Sequence, residues 1–389
     1  MPFDALNTPL SLGDVQLGHR VLMASLTRNR SVPADFANDL NNEYYTQRAK
    51  GGVGLILSEG TLISAQGSEW PNVASLYTEK HAAAWKKVVD SVHAQDSTPI
   101  FAQLWHVGRV AHPDMPLGGG RPVAAPSPIA ARGGKFRLLN DSPYVAPVEA
   151  HPDPWKLVDE YRQAAKLAKA AGFDGAEIHA GNGYLQVQFL DVNSNHRVDD
   201  WGGDVHGRTK FFKESLKAVL ETFPASRVGI KINPCGGYND VGMNEKDTIE
   251  TYTEVVKFAT DLGLAYIQMT RYLGFMDPEF DGKKRCETQL DVLATFGDLI
   301  RKGTKTKLLY NGDLSAAEAD KLVQEDKIDA AVFGRPWINN PDFAKRVFKG
   351  LPLNEDIGMV ADFKTWYAYE NDPREGYTDY PAYEEIKKN

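Results

Sequence analysis

The sequence predicts one α/β barrel of the (β/α)8, or TIM-barrel, class. Three observations predict it. Short β-rich runs alternate with longer amphipathic ones along the 389 residues, eight of each. No shift in composition divides the chain into halves. No Gly-x-Gly-x-x-Gly opens a helix after the first strand, which leaves a doubly wound sheet as the runner-up.

In order, strands are expected at Arg20–Ala24, Val53–Glu59, Pro99–Trp105, Gly175–His179, Val228–Asn233, Tyr266–Thr270, Lys307–Tyr310 and Ala330–Gly334. Helices are expected between and after them, at Asn38–Lys50, Glu79–Gln95, Trp155–Ala171, Arg208–Thr222, Lys246–Leu262, Thr288–Arg301, Ser315–Gln324 and Pro341–Lys349. A barrel of this class needs roughly 250 residues, so the surplus sits in additions. Ser11–Leu17 reads as a hairpin plugging the barrel floor, and the Pro/Gly-rich stretch Val110–Asp153 as a lid or subdomain. The Arg271–Glu287 connection and the tail after Leu351, packed on the barrel, complete the set. Residues 1–389 are therefore expected to form a single domain.

Composition narrows the function. A hydrophobic content of 42% and a charged content of 25% are ordinary for a soluble globular protein. The net charge of −8, without a basic stripe, argues against nucleic-acid binding. No apolar run approaches the roughly 20 residues that cross a bilayer. The opening MPFDALNTPL lacks the basic and apolar regions of a secretory leader. With only Cys235 and Cys286, no disulfide framework or Cys-rich metal site is expected, and a reducing cytoplasm is the default compartment. A small molecule is the expected partner, and the chain a monomer or homodimer.

The densest stretch of chemistry is DGAEIHAGNGYLQVQFLDVNSNHRVDDWGGDVHGR, from Asp174 to Arg208. A short strand ends on His179, and Asn182 and Tyr184 follow, separated by Gly181 and Gly183, which permit a tight turn. If that turn is helical, His179 and Asn182 share a face. Two neutral donors beside a phenol suit holding a carbonyl oxygen or phenolate while Tyr184 supplies a proton. Taken singly, each reads equally as a core His, a loop Asn and a packed Tyr.

Active sites of such barrels lie at the C-terminal ends of the strands. Those ends carry Ser25, Leu26, Thr27 and Arg28 (strand one), Glu59, Gly60 and Thr61 (two), Gln103, Trp105 and His106 (three) and Lys231 (five). Strand seven leads into Gly312 and Asp313, and strand eight into Gly334 and Arg335. Glycines beside an Arg at these last two ends suit a backbone cradle for a phosphate.

This set resembles the old yellow enzyme family of flavin-dependent ene-reductases over nearly the whole chain. MASLTRNR, YYTQRAKGGVGLILSEGT, QLWHVGR, HAGNGYL, RVDDWGG, FGRPWINNPDF and GYTDYPAY look like family signatures in family order. The resemblance implies non-covalent FMN in the barrel mouth, reduced by NADPH or NADH and reoxidised by an activated alkene. It implies that Thr27 bonds the flavin O4, that Gln103 meets the pyrimidine edge, and that Ser25, Leu26 and Gly60 border the ring. Gly334 and Arg335 would bind the phosphate, with backbone contacts from Gly312 and Asp313. His179 and Asn182 would grip the substrate carbonyl, Tyr184 would donate the proton, and Trp105, Phe275 and Tyr367 would wall the pocket. Lys231 stands where the family usually has Arg, keeping the charge but losing the planar fork. Ser25 replaces a common Pro, and Ala368–Glu375 is longer than usual. The alternatives are a pathway-specific flavin isomerase or oxidase of secondary metabolism and a flavin-free barrel lyase.

The residue types agree with that chemistry. Hydride addition to the β carbon of an activated alkene places negative charge on the activating oxygen, and one donor aimed there is worth about 3 kcal/mol. Tyr184, with a reference pKa near 10, is protonated at neutral pH. Other candidates read as structural. His106, Arg109 and His112 lack a completing carboxylate or Cys, so no metal is expected. Arg28, Arg30 and Asp200 are assigned to ion pairs that fix loops. Glu177 is read as a barrel-interior or packing residue that alternation turns away from His179.

Overall fold

A computed structural model of the chain describes residues 3–65, 68, 70–112, 123–132, 135–136, 142–143, 149–354 and 366–386. Eight parallel strands close into a barrel in chain order: Val21–Met23, Ile56–Leu62, Ile100–Trp105, Gly175–Ala180, Val228–Ile232, Tyr266–Thr270, Lys307–Asn311 and Ala330–Phe333. Helices Asp39–Lys50, Glu79–His93, Pro154–Ala170, Val205–Leu220, Glu245–Asp261, Val292–Arg301, Ala316–Gln324 and Phe343–Lys349 follow the strands in turn. Their apolar faces pack on the strands in one large core that includes Trp85, Tyr161, Phe211 and Phe296.

Boundaries move where a cap or bulge intervenes. The helix expected from Arg208 starts at Val205 because the Asp204 carboxylate accepts from the Gly207 N–H. The one expected from Thr288 starts only at Val292, where Asp291 accepts from the Leu293 and Ala294 N–H groups. Strand two runs to Leu62, past the expected Glu59, because its register with strand three slips between Leu57 and Gly60. Two hydroxyls bridge that irregularity: Ser58 Oγ accepts from the Gln103 N–H (3.0 Å), and Thr61 Oγ1 donates to the Gln103 carbonyl (2.7 Å).

Leu10–Leu12 and Val15–Leu17 pair antiparallel, which is the expected hairpin. Leu10, Leu12, Val15 and Leu17 form one apolar cluster with Leu22, Leu55, Leu57, Phe101, Tyr266, Leu309, Ala330 and Val332, so the hairpin closes the barrel at its N-terminal end. The turn has no room for a side chain. At Gly13 (φ +60°) a Cβ would lie 1.9 Å from the Ser226 carbonyl oxygen.

Parts of the Val110–Asp153 stretch lie outside the described residues. Those described include Ala124–Ala125 paired parallel with Glu149–Ala150, and Lys135–Phe136 paired antiparallel with Ser142–Pro143. The Arg271–Glu287 connection carries a small hairpin, Glu279–Phe280 with Lys283–Lys284. In the tail, residues 355–365 lie outside the described residues. Beyond them, Tyr377 stacks on Tyr44 with ring centroids 4.3 Å apart. Arg28 and Arg30 hold the tail through its main chain. Both are fully buried and donate to main-chain carbonyls of this tail, Arg28 to Trp366 and Gly376, Arg30 to Pro373, Ala368 and Glu375. A run of outward carbonyls is satisfied best by the multidonor guanidinium. Asp200 does pair, with Lys210 at 3.2 Å.

The floor cluster makes a direct prediction. Leu12 is fully buried in it, so Leu12→Ala is expected to lower unfolding free energy by ~2–5 kcal/mol in denaturant titration. A change within error would show that the hairpin is an appendage rather than part of the core.

Candidate active site

Alternation decides what lines the barrel above the floor. Phe101 and Tyr266 point inward, since both belong to the floor cluster, so Gln103 and Trp105 on strand three and Gln268 and Thr270 on strand six point inward too. Register sets Glu177 opposite Gln103, His179 opposite Lys231, and Lys231 opposite Gln268. Glu177 and His179, two residues apart on one strand, therefore share the interior face. The expectation that alternation turns Glu177 away from His179 is corrected, although its place in the barrel interior stands. Gln103 Nε2 donates to Glu177 Oε1 at 2.7 Å.

This interior layer is polar and buried. Burial pushes the Glu177 carboxyl up to about 7, against the opposing pull of the Gln103 hydrogen bond and the Lys231 ammonium. Burial likewise lowers the Lys231 pKa, with Glu177 opposing it.

His179 is fixed in one tautomer. The Gly181 N–H donates to His179 Nδ1 at 3.3 Å, so Nδ1 accepts and the ring proton sits on Nε2. Burial first, and then the Lys231 ammonium, hold the imidazole well below its usual pKa. The ring is a neutral Nε2–H donor.

The turn after strand four is not helical, so His179 and Asn182 do not share a helix face. Asn182 and Gly183 lie in the left-handed region, at φ +55° and +69°. Asn is one of the few residues that tolerates this conformation, and here the main chain is held on both sides. The Asn182 N–H donates to Asn233 Oδ1 (2.5 Å), and its carbonyl accepts from Asn239 Nδ2 (2.8 Å). Its side-chain amide has no hydrogen-bond partner among the described residues, and the residue is half-buried. Gly183 is sterically required, because a Cβ there would lie 2.4 Å from the Tyr238 carbonyl oxygen.

The aromatic side chains converge. The Trp105 ring lies 4.9 Å from that of Tyr184, and His179 lies 5.1 Å from Tyr184, both edge-on; Trp105 and His179 are stacked at 6.2 Å. Trp105 and Tyr184 share a second apolar cluster with Leu62, Trp70 and Val110, and Tyr367 packs against it. Trp70, stacked on Tyr367 at 4.4 Å, is missed by the sequence reading, since it stands in a loop with no periodic or motif context. Phe275 is 55% exposed on the 271–287 connection and lies outside this cluster. At Gly60 the close neighbour is Trp105, whose ring a Cβ would meet at 2.7 Å.

At the ends of strands seven and eight, Arg335 pairs with the Asp313 carboxylate, so the two loops lie side by side. Among the described residues no acceptor takes the main-chain N–H of Gly312, Asp313, Gly334 or Arg335. Free N–H groups beside a guanidinium suit a phosphate. Near the mouth, Ser25 Oγ, Trp105 Nε1, Thr270 Oγ1 and both amide atoms of Gln268 are buried with no partner among the described residues. Thr27 is half-buried there. Orphaned donors and acceptors, a free cradle and a buried lysine fit a polar ring system carrying a phosphate, as FMN does.

His106 is held through one ring nitrogen, while its Nε2 is buried without a hydrogen-bond partner among the described residues. Its Nδ1 accepts from the Gly108 N–H (3.0 Å), and burial lowers its pKa to about 3. The structure does bring it a carboxylate that sequence spacing could not show, Glu160 at 3.9 Å. Arg109 donates to the Asp240 carbonyl at 2.7 Å.

Comparison with known proteins agrees with this geometry. Residues 5–354 match the model of the NADH:flavin oxidoreductase / NADH oxidase family. The flavin oxidoreductase hxnT of Emericella nidulans is 36% identical over 98% of each chain. Morphinone reductase superposes with a TM-score of 0.84 at 35% identity, covering 97% of this chain and 96% of its own. An old yellow enzyme homologue from Zymomonas mobilis gives 0.83 at 32% identity, over 97% and 99%. The chain belongs to the old yellow enzyme family. It is thus an FMN oxidoreductase of the ene-reductase type, with NAD(P)H as reductant.

The tautomer of His179 is testable. Nitrogen-15 NMR of imidazole-labelled protein is expected to show a neutral Nε2–H ring throughout the pH interval in which an ordinary imidazole titrates around 6.5. Because the folded pKa lies below the unfolded one, the unfolded chain binds a proton the folded chain refuses, and stability falls as pH drops below 6.5. A ring that titrates within that interval would remove the neutral donor from the site.

Proposed function

We propose that this family member reduces alkenes conjugated to a carbonyl or nitro group, such as enones, enals, maleimides and nitroalkenes, with Tyr184 as proton donor. The observation that carries the proposal is the convergence at the end of strand four. His179 presents a neutral Nε2–H, Asn182 an unpartnered amide, and Tyr184 a phenol in ring contact with both His179 and Trp105.

FMN held at this site would supply the hydride chemistry between NAD(P)H and the alkene β carbon. The chain supplies the rest. His179 and Asn182 donate to the activating oxygen, where negative charge develops, and Tyr184 gives its proton at the α carbon. Trp105, Trp70 and Tyr367 form an apolar wall that excludes water from that step. In this reading Thr27, Ser25, Leu26, Gly60 and Gln103 border the flavin ring, Lys231 offers positive charge to its pyrimidine edge, and Gly312, Asp313, Gly334 and Arg335 hold its phosphate. Phe275 would join the wall only if the 271–287 connection moves inward. NADPH is the proposed reductant. NADH is the counter-reading, supported by a structure of morphinone reductase in complex with tetrahydroNAD. The cytoplasm is the proposed compartment, since the chain has only two cysteines, both free.

The grip predicts phenol binding. The oxidised enzyme is expected to bind simple phenols as phenolates with a long-wavelength absorption band. Replacing His179 and Asn182 together by Ala is expected to abolish the band and lower turnover by roughly 10²-fold or more. A band that survives in the double variant would move the site elsewhere.

The proton donor is separable from the hydride donor. Tyr184→Phe is expected to slow enone reduction by about 10²–10⁴-fold while leaving flavin reduction by NADPH near its original rate. Stopped-flow measurement of the two half-reactions decides it. Equal losses in both would leave Tyr184 a packing residue, and an isomerase or oxidase would become the better account.

A further inference from the structure

The only two cysteines of the chain are 51 positions apart in sequence, and the fold brings them together. Cys235 lies just beyond strand five, and Cys286 at the end of the 271–287 connection; both are free and buried. The N–H of Gly236, the residue after Cys235, donates to Cys286 Sγ at 3.2 Å, and that sulfur lies 3.0 Å from the Thr288 carbonyl. The neighbouring Cys235 thiol holds the Cys286 thiol down to about 7, against burial and with help from the Gly236 N–H, while Cys286 raises Cys235. One thiol is thus poised as a nucleophile and its neighbour as a resolving group. Cys286 is buried one residue from exposed Glu287.

The segments bearing them interlock. Asp277 Oδ1 accepts from the Cys286 N–H and lies where a Cβ on Gly237 would fall, 1.9 Å away. Arg285 donates to Asp240 Oδ1 (2.6 Å) and to the Gly242 carbonyl (3.0 Å). The Cys235 segment also carries both side chains that hold the Asn182 main chain, Asn233 on one side of the cysteine and Asn239 on the other.

We propose that Cys235 and Cys286 form a reversible intramolecular disulfide, with hydrogen peroxide as oxidant, and that closing it shifts the Asn182 turn and weakens the substrate grip. The Cys286 thiolate attacks one peroxide oxygen, the O–O bond breaks and hydroxide leaves, giving a sulfenic acid on Cys286. The Cys235 sulfur then attacks that sulfur, the S–O bond breaks, and water departs with the Cys235 proton. The hydroxide recovers the proton that Cys286 released. Two thiols lose two electrons, and one peroxide becomes two waters. Bond formation draws the sulfurs to about 2.05 Å, closer than two unbonded thiols can approach, and the proposed coupling passes through the loop between Asn233 and Asn239 that carries Cys235.

The test uses the FMN-loaded enzyme. Native protein is treated with hydrogen peroxide, free thiols are alkylated, and intact mass and proteolytic peptides are measured. The expected result is loss of two hydrogen masses, one cross-linked peptide pair containing Cys235 and Cys286, and restoration by dithiothreitol. Cys235→Ser is expected to stop at an oxygen adduct on Cys286, and Cys286→Ser to take up neither change. Two thiols still alkylated after peroxide treatment of the wild-type enzyme overturn the proposal without reliance on any variant. The affinity arm rests on the proposed role of Asn182: phenol affinity is expected to fall several-fold on oxidation and recover on reduction. A disulfide that forms with phenol affinity unchanged overturns the coupling, whereas loss of phenol binding in the reduced enzyme itself would count against the proposed function instead.

Discussion

A closed eight-stranded barrel has one interior, and every inward side chain must either fill it or face what enters it. This chain treats the two ends oppositely. The lower end is sealed by a leucine-rich hairpin over Leu22, Leu55, Phe101 and Leu309. Higher in the barrel, strands three to six offer Gln103, Glu177, Lys231 and Gln268, all buried, with His179 opposite Lys231 and with Trp105 and Thr270 towards the mouth. The apolar seal keeps water out from below, so the polar layer is desolvated from one side only. That asymmetry depresses the His179 imidazole, raises the Glu177 carboxyl, and leaves Gln268 and Thr270 with unpartnered atoms. Unpartnered buried polar atoms cost free energy unless something supplies their hydrogen bonds. A polar cofactor entering from the open end is the physical answer that the family assignment also gives.

The C-terminal tail depends on the same barrel mouth. Arg28 and Arg30 directly follow the loop Ser25–Thr27, and their guanidinium groups hold tail carbonyls from Trp366 to Gly376. Glu59, at the neighbouring strand, is buried with its pKa raised to about 7 by desolvation, which the charge of Arg28 opposes. Tail, first loop and second strand are therefore one electrostatic unit. Tyr367, borne by that tail, reaches the wall beside Trp70 because the arginines hold the segment on either side of it.

Much of this is legible in the sequence, for identifiable reasons. Strands buried on both faces are short apolar runs, and all eight appear with the right neighbours because parallel connections each require a helix. The strand-six boundaries coincide with expectation because Tyr266–Thr270 is bounded by turns on both sides. What the sequence hides is geometry set by distant partners. The left-handed Asn182 depends on Asn233 and Asn239, some 51 and 57 positions later. The bulge after Leu57 depends on hydroxyls that read as ordinary strand residues. Trp70 and Glu160 acquire neighbours only once loops and helices pack. Glu177 differs: its side was readable from a period of two, and the correct count places it with His179.

That corrected count bears on the departure at Lys231. An arginine would keep its charge in almost any surroundings, whereas a buried lysine keeps it only while a counter-charge persists. Here the counter-charge is Glu177, itself pushed by burial towards the neutral acid and drawn back by Gln103 and by Lys231. Each ion sustains the other, and Gln103 Nε2, by occupying one carboxylate oxygen at 2.7 Å, favours the ionised pair. The positive charge available to the flavin edge in the proposed assignment is therefore conditional on three side chains from three adjacent strands, where an arginine would carry it alone.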